Sequence, residues 1–395
     1  MADNKDKKVL NVPALRFPEF SGEWENLRLS DFATKITKKN KGNIVKNILC
    51  NSANLGLVPQ GNYFDREIAN TENTDGYYVI CNGDFVYNPR KSTAAPFGPV
   101  NIYEGEDAGI ISPLYLCFSI HNIFPKFLYY RFKSSAWHSY VYSHGDSGVR
   151  FDRVSIKDDV FFDMPVYKPA QDEQIKIATI LQLIDERIAT QNKIIEDLKN
   201  LKSAIADKLY SSMKGETYSF RQLFDVVNER NKKLTYSNVL SASQELGMIE
   251  RSDIKIDIKF EQDSISKYKI VRRGDYVVHL RSFQGGFAFS DRTGICSPAY
   301  TILRPNDLVT YGYLSYFFTL RPFIKSLKLV TYGIRDGRSI NVDEWLDMTV
   351  TLPTKREQSH ILAIINAIDN KLYNENQIHN YMFRQRTYLL KTMFI

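Results

Sequence analysis

The chain has 395 residues, 43% hydrophobic and 25% charged, with 20 glycines and 14 prolines. That is an ordinary globular composition with length for two or three packed cores, which excludes disordered, fibrous and disulfide-stapled classes. Against 45 Asp and Glu stand 52 Lys and Arg, a formal charge of +7, and 13% of residues are aromatic; a polyanionic partner and a plainly solvated surface both fit such a surplus.

In chain order, residues 1–19 form an N-terminal segment. Met1–Lys8 is charged rather than apolar, and the longest uncharged stretch, Gly109–Pro125, is broken by Pro113, His121 and Asn122. Neither a signal peptide nor a membrane span is expected, and the location expected is cytoplasmic. Residues 20–168 are a globular segment in which turn signals, Asp75-Gly76 and Asn82-Gly83, separate short runs of Tyr, Val, Ile and Phe. This spacing predicts mixed sheet, with short helices over Leu29–Ile36 and Pro125–Ser135. Residues 169–214 predict one long helix. Residues 215–352 repeat the globular pattern, with a turn at Arg273-Gly274-Asp275 and helices expected over Phe220–Val227 and Tyr311–Leu327. Residues 353–395 predict a second long helix. Cys50, Cys81, Cys117 and Cys296 lie far apart without a C-x-x-C pair, and read as buried thiols rather than metal or redox ligands.

The second half rewrites the first. The segments from Pro169 and Pro353 align without a gap at an offset of 184 residues, with identities Glu173/Glu357, Gln174/Gln358, Ile177/Ile361, Ile180/Ile364, Ile184/Ile368, Asp185/Asp369, Asn192/Asn376 and Ile194/Ile378. Upstream, Gly83-Asp84-Phe85-Val86 echoes Gly274-Asp275-Tyr276-Val277, and Ser112-Pro113-Leu114-Tyr115 echoes Ser297-Pro298-Ala299-Tyr300. Gly148-Val149-Arg150 likewise echoes Gly333-Ile334-Arg335, and Asp163-Met164 echoes Asp347-Met348. The chain is a globular-plus-helix unit written twice, an α+β fold with an internal pseudo-twofold repeat.

Apolar positions in the two long runs step by four and three, a coiled-coil seam. Ile177, Ile184, Gln191 and Leu198 mark it in one helix, and Ile361, Ile368, Glu375 and Met382 in the other. At about 1.5 Å per residue, each run of roughly forty residues spans on the order of 60 Å. Two equivalent helices joined through whole globular segments close naturally as an antiparallel pair. Coincident midpoints would bring Gln191 near Glu375, Lys202 towards Asp369 and Arg386 towards Asp185.

Catalytic machinery is not apparent. No glycine precedes lysine, so there is no Walker A loop, and neither G-x-G-x-x-G nor H-E-x-x-H occurs. The Asn-Pro at Asn88-Pro89 is followed by Arg90 rather than proline and an aromatic, and no proline precedes cysteine, which leaves both kinds of DNA methyltransferase without their signature. The six histidines do not cluster with acids, and no metal site is expected. A nuclease built from scattered Asp, Glu and Lys stays compatible with the sequence.

A nucleic-acid binder takes phosphate with Lys and Arg and reads base edges with Arg, Asn, Gln, Ser and Thr. Lys35, Lys38, Lys39 and Lys41 follow the first predicted short helix of one unit, and Arg230, Lys232 and Lys233 follow that of the other. Such a cluster also suits a solvated helix end. After each Gly-Asp-aromatic-Val run comes a polar loop, carrying Arg90 and Lys91 in one unit and Arg281 in the other; readers of different targets and ordinary surface drift would both look like this. Glycine-rich loops carry Arg150 in one unit and Arg335 and Arg338 in the other, as a phosphate-approaching loop or a plain hairpin would.

Val12-Pro13-Ala14-Leu15-Arg16-Phe17-Pro18-Glu19-Phe20 with Trp24, the two repeated frames and the twice-written Pro-x-x-x-Glu-Gln helix start resemble the specificity (S) subunit of type I restriction-modification enzymes over nearly the whole chain. The resemblance implies two mixed α/β target-recognition domains, 20–168 and 215–352, joined by two long antiparallel coiled-coil helices, 169–214 and 353–395. Each domain would read one half of a bipartite, asymmetric site on double-stranded DNA. The helices would act as ruler and dock for two methyltransferase (M) subunits, with restriction/translocase (R) subunits joining for cleavage. The resemblance further implies a non-catalytic chain without cofactors, S-adenosylmethionine, ATP and Mg belonging to the partners. The alternative reading is the recognition portion of a fused nuclease-methyltransferase, which would modify or cut DNA without partners.

Overall fold

In a computed structural model of the protein, residues 10–63, 74–145, 152–243, 246–253, 262–279, 286–332 and 339–395 are described. Contacts group the chain into two units, residues 1–192 with 377–395, and residues 193–376, so that each long helix is shared between them.

In the first unit, tight turns chop the Tyr, Val and Ile runs into ten short strands: β1 (Glu25–Arg28), β2 (Ala33–Lys35), β3 (Leu49–Ser52), β4 (Gly56–Pro59), β5 (Tyr78–Ile80), β6 (Phe85–Tyr87), β7 (Val100–Ile102), β8 (Gly109–Ile111), β9 (Leu116–Ile120) and β10 (Pro165–Lys168). After a single helical turn at Gln60–Tyr63, three further helices, α1 (Pro125–Lys133), α2 (His138–His144) and α3 (Asp158–Phe162), precede the 41-residue α4 (Gln171–Ser211). The central sheet runs β2-β9-β6-β7, flanked by the pairs β1-β10, β3-β4 and β5-β8. In its core Phe132 of α1 packs against Phe85, Phe118, Trp137 and Phe161.

The second unit repeats that order. Its elements are β11 (Glu216–Ser219), α5 (Phe220–Leu223), β12 (Phe224–Val227), β13 (Leu240–Ser243), β14 (Gly247–Glu250), β15 (Lys269–Val271), β16 (Tyr276–Val278), β17 (Phe287–Phe289), β18 (Gly294–Cys296), β19 (Thr301–Pro305), α6 (Tyr313–Phe317), α7 (Arg321–Ser326), α8 (Val342–Asp347), β20 (Thr349–Leu352) and the 38-residue α9 (Lys355–Thr392). The sheet order β12-β19-β16-β17, with pairs β11-β20, β13-β14 and β15-β18, matches that of the first unit, and a further short pair joins Thr331–Tyr332 to Ser339–Ile340. The Gly-Asp frame is a turn device in both: Gly83 and Gly274 have φ of +89° and +99°, and the following Asp84 and Asp275 accept the backbone N–H of Cys81 (2.7 Å) and Arg272 (2.8 Å). Only glycine adopts that φ freely, and the carboxylate closes the turn.

Each unit packs part of α4 against an oppositely running part of α9. In the first, Ile177, Leu181 and Ile184 share a core with Leu389, Leu390, Met393 and Phe394, and Arg386 Nε donates to Asp185 Oδ1. In the second, Ala206 and Tyr210 share a core with Ile361 and Ile365, and Lys202 Nζ lies 2.5 Å from Asp369 Oδ1. Both ion pairs are those the antiparallel expectation named. Of the seam positions, Ile177, Ile184, Gln191, Ile361 and Glu375 are buried, and Leu198, Ile368 and Met382 are half-buried.

The helix starts explain the repeated Glu-Gln. Gln174 and Gln358 are buried; each donates to the carbonyl of its own Pro169 or Pro353 (2.8 and 2.9 Å) and accepts the N–H of Phe124 (2.9 Å) or Thr310 (2.7 Å). The glutamates diverge. Glu357 caps its helix by accepting from Thr354, whereas buried Glu173 receives a bidentate Arg16 guanidinium (2.8 and 2.8 Å) and Trp24 Nε1 (3.3 Å). The N-terminal segment is thereby strapped onto the first unit, where Leu15 N also donates to Thr392 O (2.9 Å).

Three expected helices are corrected. Leu29–Ile36 is a 3₁₀ turn followed by β2, and Phe220–Val227 is the four-residue α5 followed by β12, because the residues past the first turn are drawn into pairing with β9 and β19. Tyr311–Leu327 is broken between α6 and α7, where Pro322 at the start of α7 cannot continue an existing helix. Of the cysteines, Cys117 and Cys296 are buried, but Cys50 is half-buried and Cys81 exposed; all four are free thiols.

Candidate nucleic-acid interface

The basic cluster of the first unit sits on a loop, not on a helix end. It leaves β2, and its anchor is Asn40, 2% exposed: its side-chain amide donates to Val45 O (3.0 Å) while its oxygen accepts Val45 N–H (3.0 Å). Asp75 Oδ1 accepts from the N–H of Gly42 (2.9 Å) and Asn43 (3.2 Å), and Val79 N donates to Lys38 O (3.0 Å). Lys38 and Lys41 point to solvent from this fastened loop, and the Lys39 ammonium lies 3.2 Å from the Tyr78 ring centroid.

The second unit builds the same loop. Asn231, 1% exposed, donates to Tyr236 O (2.7 Å) and accepts Tyr236 N–H (3.2 Å). Arg230 bridges to Lys269 where Lys39 bridges to Tyr78, and Arg230, Lys232 and Lys233 are exposed. Burial lowers the pKa of Lys269, with Arg230 adding to the effect, and its ammonium donates to Tyr300 O (2.7 Å). The equivalent positions therefore differ in chemistry, a cation over an aromatic ring in one unit and two cations in the other.

Arg90 and Lys91 lie on a second exposed loop of the first unit. It is laddered to residues 152–154: Arg90 bridges Arg153, Lys91 N donates to Asp152 O (2.8 Å) and Val154 N to Pro89 O (2.8 Å). A groove of about 460 Å³ lies between the two loops, lined among others by Lys35, Tyr78, Leu114, Tyr115, Arg153 and Asp158. Lys35 Nζ lies 2.5 Å from Asp158, which raises the lysine pKa through that hydrogen bond and neutralises one wall. Arg150, Arg281, Arg335 and Arg338 lie outside the described residues.

The sequence did not single out Asn40, Asn231, Tyr78 or Arg153. The asparagines carried a usable signal, since each lies inside a basic run at the equivalent place of the repeat; Arg153, distant in sequence from Arg90, carried none. Among the described residues no three His, Cys, Asp or Glu side chains converge as around a metal ion, and no helix is long and apolar enough to cross a membrane. What the surface offers is exposed cations beside aromatic rings, on loops fastened from within by buried asparagines, the chemistry that takes phosphate and stacks on bases.

No protein-family model matches the chain, and no curated protein matches it in sequence. Solved structures do. A chain from a structure of the type I R-M system concerned with its complex assembly and conformational transition aligns over 93% of this chain and 96% of its own, at 13% identity and a TM-score of 0.61. The type I restriction-modification S subunit from M. genitalium aligns over 97% and 99%, at 13% identity and a TM-score of 0.53. Over nearly its whole length, this chain has the fold of those type I restriction-modification proteins.

Proposed function

We propose that the chain is the specificity subunit of a type I restriction-modification complex, a non-catalytic reader of double-stranded DNA with one unit for each half of a bipartite, asymmetric site. The observation that carries the reading is the duplicated loop. The same buried asparagine holds the same turn in both units and presents a basic cluster at the same point of the same sheet, with different neighbouring side chains. A shared scaffold with divergent contacts suits two readers of unlike sequences. The loops of Lys38, Lys39 and Lys41, of Arg90, Lys91 and Arg153, and of Arg230, Lys232 and Lys233 are assigned to DNA, and Arg150, Arg281, Arg335 and Arg338 are carried with them on sequence grounds. The long helices are assigned to docking two methyltransferase subunits, with restriction/translocase subunits joining the complex; S-adenosylmethionine, ATP and Mg belong to those partners.

The test is to express the chain with its methyltransferase partner and map methylated adenines across a genome by single-molecule sequencing. A single bipartite motif that vanishes when this chain is omitted is the expected result. Methylation of an unchanged motif without the chain, or methylation by the chain alone, would overturn the reading.

A further inference from the structure

One polar network of the first unit has no counterpart in the second. Asn51 Nδ2 donates to Val86 O (2.7 Å), Asn101 Nδ2 donates to Asn51 Oδ1 (2.5 Å) and Ser52 O (2.9 Å), and Lys133 Nζ donates to Asn101 Oδ1 (2.5 Å). The two units align residue by residue. Ser52 faces Gly56 across one hairpin as Ser243 faces Gly247 across the other, and Asn101 faces Val86 as Ala288 faces Val277. The N–H of Phe124 and of Thr310 each meet a helix-start glutamine, which fixes the register of α1 against α6. Ala242, Ala288 and Thr319 therefore stand where the first unit has Asn51, Asn101 and Lys133. In the second unit Ala242 and Ala288 simply join the apolar cluster of Leu240, Met248, Val277 and Ile302 and the same sheet forms, so the fold does not require the lysine or its amides.

Lys133 lines an open cleft of about 640 Å³ between α1, the β3-β4 hairpin and the loop 103–107. Among the described residues it has no carboxylate within ion-pair distance. Two nearby carboxylates are engaged elsewhere: Asp185 by Arg386 and Tyr130, Glu104 by Lys126 at 2.6 Å. Burial, reinforced by Arg386 and opposed by Asp185, brings its pKa down to about 8. Tyr129 shares the cleft, its ring centroid 4.9 Å from Lys133 Nζ, and its hydroxyl makes no hydrogen bond among the described residues. On the exposed side of the cleft stand Glu106 and Asp107, which form no ion pair among the described residues. A half-buried ammonium and a phenol call for an anionic oxygen, while exposed carboxylates repel a polyanion and attract a cation.

We propose that this cleft binds a small zwitterion of the α-amino-acid class, its carboxylate on Lys133 Nζ and the Tyr129 hydroxyl and its ammonium towards Glu106 and Asp107. The volume lies in the range of small-molecule sites and leaves room for a side chain. This inference is independent of the DNA-reading proposal.

The test is calorimetry or ligand-observed NMR on the full chain with the twenty L-amino acids, and with the N-acetyl and carboxamide forms of any that bind. At least one amino acid should bind, and masking either charge should weaken it about tenfold or more. Lys133→Thr, which installs the residue of the other unit, should abolish binding with the circular dichroism unchanged. Tyr129→Phe, which removes one hydroxyl, should weaken it several-fold and serves if the first variant fails to fold. No binding up to about 10 mM, or equal affinity in both variants and the wild type, would overturn the proposal.

Discussion

Leu234 and Asn43 occupy the same place in the two basic loops, three residues after the anchoring asparagine, and both have positive φ, 52° and 50°. A left-handed conformation costs a Cβ-bearing residue about 1 kcal/mol, less for asparagine, and Leu234 is 63% exposed and recovers little by burial. Leu234→Asn should therefore raise stability by about 0.5–1 kcal/mol, read as a shift in urea midpoint at constant m. An unchanged or lower midpoint would mean that the leucine makes a compensating contact. Lys133 gives a prediction in pH. Its folded pKa, about 8, lies below the value of an unfolded lysine, so the unfolded chain holds more protons between pH 8 and about 10.4. Stability then rises with pH across that window. The stability of wild type relative to Lys133→Thr should increase from pH 7 to pH 10, and a flat or falling difference would contradict the assigned burial.

At the scale of elements, the loops and helices differ in how far the sequence disclosed them. The long helices were legible because four-and-three periodicity repeats over dozens of residues, and the antiparallel ion pairs Asp185–Arg386 and Lys202–Asp369 follow from the repeat offset alone. The short elements were not, because three or four residues hold less than one helical period: Leu29–Ile36 has helix-like spacing and becomes turn plus strand through pairing with Phe118–Ile120, a partner far along the chain. Site residues followed the same divide. Lys38, Lys39 and Lys41 were visible as local charge, whereas the pairing of Arg90 with Arg153 and of Lys39 with Tyr78 is set by tertiary structure. Replacing Lys38, Lys39 and Lys41 together by alanine should weaken the binding of the assembled complex to all DNA sequences alike, and reduce the slope of log affinity against log salt by about 2 to 3, near 0.9 per phosphate contact. Filter binding or fluorescence anisotropy across a salt series measures this. Loss confined to one half-site would transfer these lysines from backbone contact to base reading.

At the scale of the molecule, the two units differ in continuity. The second is residues 193–376 without interruption, while the first needs 377–395 to complete it. That piece supplies Leu389, Leu390, Met393 and Phe394, each under 9% exposed, to the core of the first unit. Deleting 377–395 should therefore destabilise the first unit by several kcal/mol, since losing one large buried side chain already costs about 2–5 kcal/mol, and should leave the second nearly untouched. Calorimetry should show one transition moving down while another holds its temperature; a common fall of both would mean that the units unfold as one.

The stretch that strap and core share, where Leu15 meets Thr392 and Phe127 meets Phe394, also sets an order in time. A chain emerging from the ribosome presents residues 1–192 first, yet the partners of Ile177, Leu181 and Ile184 are not made until the 184 residues of the second unit have been added. At about 5–20 residues per second that is a wait of roughly 10–40 s. Half-finished apolar helix surface is exposed throughout, and the unit translated later is the one that closes earlier. Of the two units, the one translated earlier is the later to have its whole core available.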